Sequence, residues 1–334
     1  MVKAVLGNDP FQRGAARSEP PAVQPIEARK ARKPVQKGWK GRPATSAKSQ
    51  PQPQAQAPSA LPEPARAPAA DERADLVKGL YRAARTALGF IDGPVDPHGE
   101  DAQLVRDLAP LADFFYDRYW RVSLQGAENL PAGGCLLVAN HEGALPIEGP
   151  ILRLALARRR PELPRARWLA DENILRIPLL GVLLNRLGAV AATPENALQL
   201  LAEGRQLIVF PEGIQAVKKS FRHRYELMPF GRGGFVKIAA RAGSPIVPVA
   251  IVGAAEASPV LANLPVRSFG LRSLPITLPP LPTKWSIRVG QPLELRQVDP
   301  EEPSEIGRWT ERVRSSVQQM LQETVRQRRS IFAG

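Results

Sequence analysis

Cysteine is almost absent from this chain: 334 residues contain one, Cys135. A disulfide framework is therefore excluded, and a reducing compartment is expected. Cys135 lies in the apolar run Cys135-Leu136-Leu137-Val138-Ala139, which assigns it to a buried strand rather than to nucleophilic chemistry. Histidine is scarce too. His98, His141 and His223 are widely scattered and no cysteine pair stands near them, so no metal site is expected. No stretch reaches the roughly 20 apolar residues of a membrane-crossing helix. The nearest, 177–192, is broken by Asn185 and Arg186, and residues 1–17 lack the apolar core of a secretory leader. A soluble or membrane-peripheral protein on the cytoplasmic side is expected. There is no Gly-x-Ser-x-Gly elbow, and no Gly-x-Gly-x-x-Gly follows the first predicted strand.

Proline and positive charge, by contrast, are plentiful. The chain has 35 prolines and a formal net charge of +14, which points to anionic partners: a membrane surface, phosphorylated substrates or nucleic acid. Much of this sits at one end. Residues 1–70 hold 12 of the prolines and 12 Lys or Arg against 4 Asp or Glu, eight of the fourteen excess charges. Few large apolar residues accompany them, so this segment is predicted to be disordered. Its basic block, 30–42, reads as a solubilising leader or as an electrostatic tether to anionic lipid. Nucleic acid is a weaker third reading, because aromatics barely interleave with the charges.

With 43% hydrophobic residues, the remainder has enough apolar material for a substantial core. Residues 71–92 carry Leu76, Leu80, Ala83 and Leu88 at near-helical spacing. A second helix is predicted over 101–119, kinked or split at Pro110. Core packing is the default for both, with a lipid surface as the alternative. From Trp120 onward, strands and helices alternate. Strands are predicted at 121–124, Cys135–Ala139, Arg167–Ala170, 206–210, 245–252 and 285–289. Helices are predicted at 147–157, 174–187, Gly234–Ala242 and 301–328, with a further start at Thr193-Pro194 and a stop at Gly204. The expected fold class is α/β: a single domain with a central mixed, largely parallel sheet flanked by helices, preceded by a helical N-terminal segment. Its divisions are a basic tail (1–70), N-terminal helices (71–119), the α/β domain (120–298) and a C-terminal helix (299–334).

Three segments at strand ends carry candidate chemistry. Asn140-His141 ends the run at Ala139, and Glu148 follows seven positions after the histidine. A neutral imidazole acts as a general base when its other nitrogen is held by an acceptor, and a carboxylate folded back over a compact turn supplies one. Phe210-Pro211-Glu212-Gly213 ends another strand, where ligands bind in open α/β sheets. Close behind, Lys218-Lys219-Ser220-Phe221-Arg222-His223-Arg224-Tyr225 concentrates basic side chains, either as a phosphate site or as a solvated charge run.

The order of these pieces resembles the lysophospholipid (phospholipid/glycerol) acyltransferase family. Asn140-His141-Glu142-Gly143-Ala144-Leu145-Pro146-Ile147-Glu148-Gly149 is similar to the longer first motif of a bacterial branch close to the mono- and diacylglycerol acyltransferases, Asn-His-Ser-Gly-x-Leu-Pro-x-Asp-Gly. Gly181 to Gly188, Phe210 to Gly213 and Pro245 to Val249 resemble the second, third and fourth blocks, in family order over roughly 110–295. The resemblance implies His141 as general base, Glu148 in the place of the family's Asp, and Asn140, Phe210, Pro211, Glu212 and Gly213 at the substrate. It makes Arg186 and Lys219 candidate phosphate contacts. It further implies acyl-CoA as co-substrate with no metal or redox cofactor, a glycerolipid or lysophospholipid acceptor, peripheral association with a membrane surface, and no nucleic acid. Three departures stand out. Glu148 is one methylene longer than Asp, Glu142 replaces a small Ser, and Ile214-Gln215 stand where glycerol-phosphate-using members have Arg. A lipid- or acyl-CoA-binding relative with impaired catalysis, and an adaptor acting through the basic tail, are the alternative functions.

Overall fold

The computed structural model describes residues 93–142, 145–265 and 273–332; the predicted tail and the predicted helix 71–92 lie outside the described residues. Alternation along one strand organises the rest. All five residues of Cys135–Ala139 are buried, with Cys135, Leu137 and Ala139 in one hydrophobic core and Leu136 and Val138 in a second. A strand that is apolar on both faces requires a layer on each side of its sheet. It is β2 of the nine strands among the described residues, following β1 (Ser123–Gln125) and preceding β3 (Arg167–Ala170), β4 (Ala189–Ala191), β5 (Gln206–Val209), β6 (Ile246–Val252), β7 (Val260–Pro265), β8 (Ser273–Thr277) and β9 (Ser286–Val289). Seven form one sheet in the order β1-β9-β6-β2-β5-β3-β4, and β7 and β8 pair separately. Strands β6, β2, β5, β3 and β4 are parallel, while β9 runs antiparallel to β6 and carries β1 parallel to itself. The mixed, largely parallel sheet is as expected.

Short helices α1 (Ala102–Asp107) and α2 (Ala109–Asp113) precede the sheet, and π-helical turns over Phe114–Tyr119 lead to Trp120 in the first core. The predicted split near Pro110 occurs at Leu108, which ends α1 and caps α2. Helix α3 (Glu148–Arg159) covers the first face with Ile151, Leu152 and Ala155. After β3 come α4 (Glu172–Leu175) and α5 (Leu180–Arg186); the single helix expected over 174–187 is interrupted by Pro178 and by Leu179 at φ 64°. The second face is covered by α6 (Pro194–Ala202), α7 (Gly234–Ala242) and, beyond the short α8 (Ala254–Ala257), the long α9 (Pro303–Gln327). Thr193 caps α6 by accepting from the Asn196 N–H at 3.3 Å, as its sequence predicts.

Among the strands, two features escaped the sequence pattern. Strand β4 is only three residues of small apolar sequence, too short to show a period. The β7–β8 hairpin contains Pro265 and Pro275, which argue against a strand because proline cannot donate to a ladder.

At the amino end of β3 a buried ion network closes the fold. Arg167 pairs with Asp96 and, at 2.9 Å, with Glu100; Arg153 pairs with Glu100 at 2.6 Å. Arg186 reaches Asp101 at 2.9 Å, and Asp101 caps α1 by accepting from the N–H groups of Gln103 and Leu104. No helix among the described residues is long and apolar enough to cross a membrane.

Candidate active site

Strand β2 ends at Ala139, but its ladder gains one more rung from a side chain. Asn140 Nδ2 donates to the Ile251 carbonyl at 2.8 Å and its Oδ1 accepts from the Ile251 N–H at 2.7 Å. The fully buried amide thereby ties β2 to β6 and fixes where the chain leaves the sheet. His141 is the next residue. Its N–H donates to Glu212 Oε1 at 3.0 Å. Glu212, at the carboxyl end of β5, also accepts from the Met228 N–H at 2.7 Å and pairs with Lys219 Nζ at 2.7 Å. One buried carboxylate therefore binds three segments into a platform beneath the histidine.

Glu148 opens α3 and is 1% exposed. One of its oxygens hydrogen-bonds His141 Nδ1, and the other accepts from the Glu142 N–H at 2.7 Å. Glutamate's extra methylene does not carry the carboxylate out of reach of the imidazole. Beside it, a Cβ on Gly149 would lie 2.7 Å from the Trp168 ring, so glycine lets the first turn of α3 press onto β3. Because a carboxylate only accepts, it assigns the proton of a neutral His141 to Nδ1 and leaves the lone pair on Nε2.

The His141 side chain keeps 20% exposure, enough to be approached, and its ring lies 5.3 Å from that of Phe210, centre to centre. Pro211 is buried, and Gly213, at φ 54°, opens the 3₁₀ turns over Gly213–Lys218 that return Lys219 to Glu212. Burial pulls the imidazole pKa down, but the charge and hydrogen bond of Glu148, assisted by Glu212 and opposed by Lys219, pull harder; the net displacement is upward. Glu142 behaves differently. Both of its carboxyl oxygens are buried without a hydrogen-bond partner among the described residues. Burial drives its pKa well above the usual carboxylate range; Lys219 opposes this, while Glu256, Glu148 and Glu212 add to it.

A second buried carboxylate anchors the surrounding wall. Glu256 of α8 accepts from Tyr225 Oη, from Arg224 Nε at 3.1 Å and from Arg328 Nη2 at 2.8 Å. Burial alone would raise its pKa, but hydrogen bonds from Arg328 and Tyr225 and the two guanidinium charges hold it below the ordinary value.

The fold thus gathers Asn140, His141, Glu148, Phe210, Pro211, Glu212, Gly213 and Lys219 at the carboxyl ends of β2 and β5. Arg186 is not among them. It closes α5 just before β4 begins, at the opposite end of the parallel strands, and pairs with Asp101. The basic run is divided: Lys219 is spent on Glu212 and Arg224 on Glu256, while Arg222 and His223 stay exposed. Glu256 and Arg328 were not anticipated. An acid within Ala254-Ala255-Glu256-Ala257 is a faint sign of burial, and nothing local marks Arg328.

Comparison with known proteins adds a family. Residues 121–252 match the family model described as acyltransferase. An uncharacterized protein of Mycobacterium tuberculosis is 38% identical over 255 residues, 72% of this chain and 70% of that protein. A chloroplastic 1-acyl-sn-glycerol-3-phosphate acyltransferase of Brassica napus is 28% identical over 153 residues, 42% of this chain and 40% of its own length. Among solved structures, the 1-acyl-sn-glycerophosphate acyltransferase of Thermotoga maritima aligns with a TM-score of 0.45 at 18% identity, over 76% of this chain and 97% of that one.

Proposed function

Because the chain belongs to the acyltransferase family, we propose that it is an O-acyltransferase moving a fatty acyl group from acyl-CoA to the hydroxyl of a glycerolipid or lysophospholipid at a membrane surface. The observation that carries this reading is the Glu148–His141 pair, held from below by Glu212 on the His141 backbone.

The acceptor hydroxyl hydrogen-bonds to His141 Nε2. As its oxygen attacks the thioester carbonyl, the proton passes to Nε2, and Glu148 stabilises the imidazolium that forms. Backbone donors near the strand ends stabilise the tetrahedral oxyanion. Collapse breaks the carbon–sulfur bond, and the departing thiolate of coenzyme A takes the proton back from Nε2. No acyl-enzyme intermediate is needed, in keeping with a sequence that lacks a nucleophile elbow.

The test is acyl transfer by purified protein supplied with labelled acyl-CoA and a panel of lysophospholipids and mono- and diacylglycerols. Wild type transfers label to at least one acceptor, and His141→Ala lowers the rate by about 10²–10⁴-fold. Equal transfer by the two proteins overturns His141 as the base. Binding of acyl-CoA with no transfer to any acceptor overturns the enzyme in favour of a lipid- or acyl-CoA-binding relative.

A further inference from the structure

The sheet sorts exposed apolar side chains by end. Because β6, β2, β5 and β3 are parallel, segments leaving their carboxyl ends share a side with His141. Leu179 and Val182 follow β3, and Phe221 follows β5; they are 47%, 45% and 51% exposed. Val260, Leu261, Ile276 and Leu278, all in or beside the β7–β8 hairpin, follow β6. At the amino ends, Val95 is the one large apolar side chain so exposed among the described residues, placed there by its neighbour Asp96 on Arg167.

The hairpin forms a sheet of its own, and its register shifts between Val260 and Ala262, leaving Leu261 out of the pairing and 60% exposed. A two-stranded hairpin standing alone is marginal in water, and a rim of grouped apolar side chains marks a contact surface. What meets that rim has to be apolar in depth and anionic at its face, since exposed Arg176, Arg222 and Arg329 outnumber the exposed Glu195 and Glu226 at the same end. A bilayer with anionic headgroups has both properties. We propose that β7–β8 is a membrane-inserting hairpin that seats the carboxyl end of the sheet, and with it His141, on an anionic lipid surface. The choice of lipid over another partner rests on the acyltransferase reading, but the test measures binding alone.

Cys135 is fully buried, so a cysteine introduced at Leu261 is the reactive thiol of the full chain and takes an environment-sensitive fluorophore. The same label at Val95 is the control. Phosphatidylcholine vesicles containing phosphatidylglycerol are expected to shift the Leu261→Cys label to the blue and leave the Val95→Cys label unchanged. Leu261→Asp with Ile276→Asp is expected to weaken partitioning into these vesicles by about tenfold or more per side chain removed from the bilayer. Its melting temperature shows whether the variant is folded, and the label reports insertion independently of it. Three results overturn the proposal: vesicle binding without a shift at 261, which assigns binding to the basic tail; wild-type partitioning by the folded double variant; or a dimer that the two substitutions dissociate, which makes the occupant a second copy. His141→Ala separates the two readings. It is expected to bind vesicles as wild type does, and full transfer activity in it would remove the base while leaving the hairpin standing.

Discussion

At the amino end of β3, Arg153, Arg167 and Arg186 meet the carboxylates of Asp96, Glu100 and Asp101, and the exposed Arg165 lies 3.9 Å from Glu100. At the carboxyl end of β2, the carboxyls of Glu142, Glu148, Glu212 and Glu256 share Lys219, Arg224 and Arg328, with His141 among them. In the first set every carboxylate is paired with a guanidinium. In the second, Glu142 is displaced upward by burial first, and His141 is displaced upward because the charge and hydrogen bond of Glu148 outweigh its burial. Buried charge that balances itself joins segments together. Buried titratable groups whose pKa values are displaced suit proton exchange with a substrate, which is what a general base does.

Substitutions at the two ends should separate stability from rate. The largest expected effect is Arg167→Leu, which leaves Asp96 without its buried partner and costs about 3–5 kcal/mol of stability. Chemical denaturation measures that loss, while kcat per folded molecule stays at the wild-type value; a matching fall in kcat would show that the two ends are coupled. Glu148→Asp comes next. Glu148 bridges His141 Nδ1 and the Glu142 N–H, so drawing the carboxylate back by one methylene lowers kcat by about 10²-fold rather than restoring a family optimum. Glu148→Gln removes the charge that opposes burial and raises the imidazole pKa, so the acid limb of kcat/KM moves to lower pH. An unmoved limb would sever Glu148 from the titrating group.

The smallest effect belongs to Glu142→Gln. A carboxyl whose pKa is raised on folding favours the native state at low pH and loses that contribution as pH climbs through its folded value. At neutral pH the variant is therefore more stable by about 1 kcal/mol, roughly 2–4 °C in melting temperature. The gain disappears below about pH 4. A variant less stable than wild type at neutral pH would mean that the Glu142 carboxyl is paired and the contrast between the ends is weaker than the geometry implies.

Much of this was legible in one dimension. The apolar run at Cys135–Ala139, the capped start at Thr193-Pro194 and the strand-end groups Asn140-His141 and Phe210-Pro211-Glu212-Gly213 report local physics, namely burial on two faces, capping and the abrupt end of a strand. Arg186 shows where that reading stops. Its residue type suits phosphate, but its place just before β4 puts it at the far end of the strands, and only the crossover direction reveals this. The hairpin was hidden for the opposite reason, because its prolines suppress the local strand signal while pairing between β7 and β8 forms regardless.

By itself the sequence determined that an α/β sheet would form and that a histidine would stand at the end of a buried strand, because both follow from patterns a few residues long. Only the tertiary structure decided that Glu148 reaches that histidine despite its extra methylene, and that Glu212 holds its backbone from a strand 71 positions away. It also decided that the Glu142 carboxyl is buried without a hydrogen-bond partner among the described residues. These are matters of distance and desolvation between segments remote in the chain, and no local pattern encodes them.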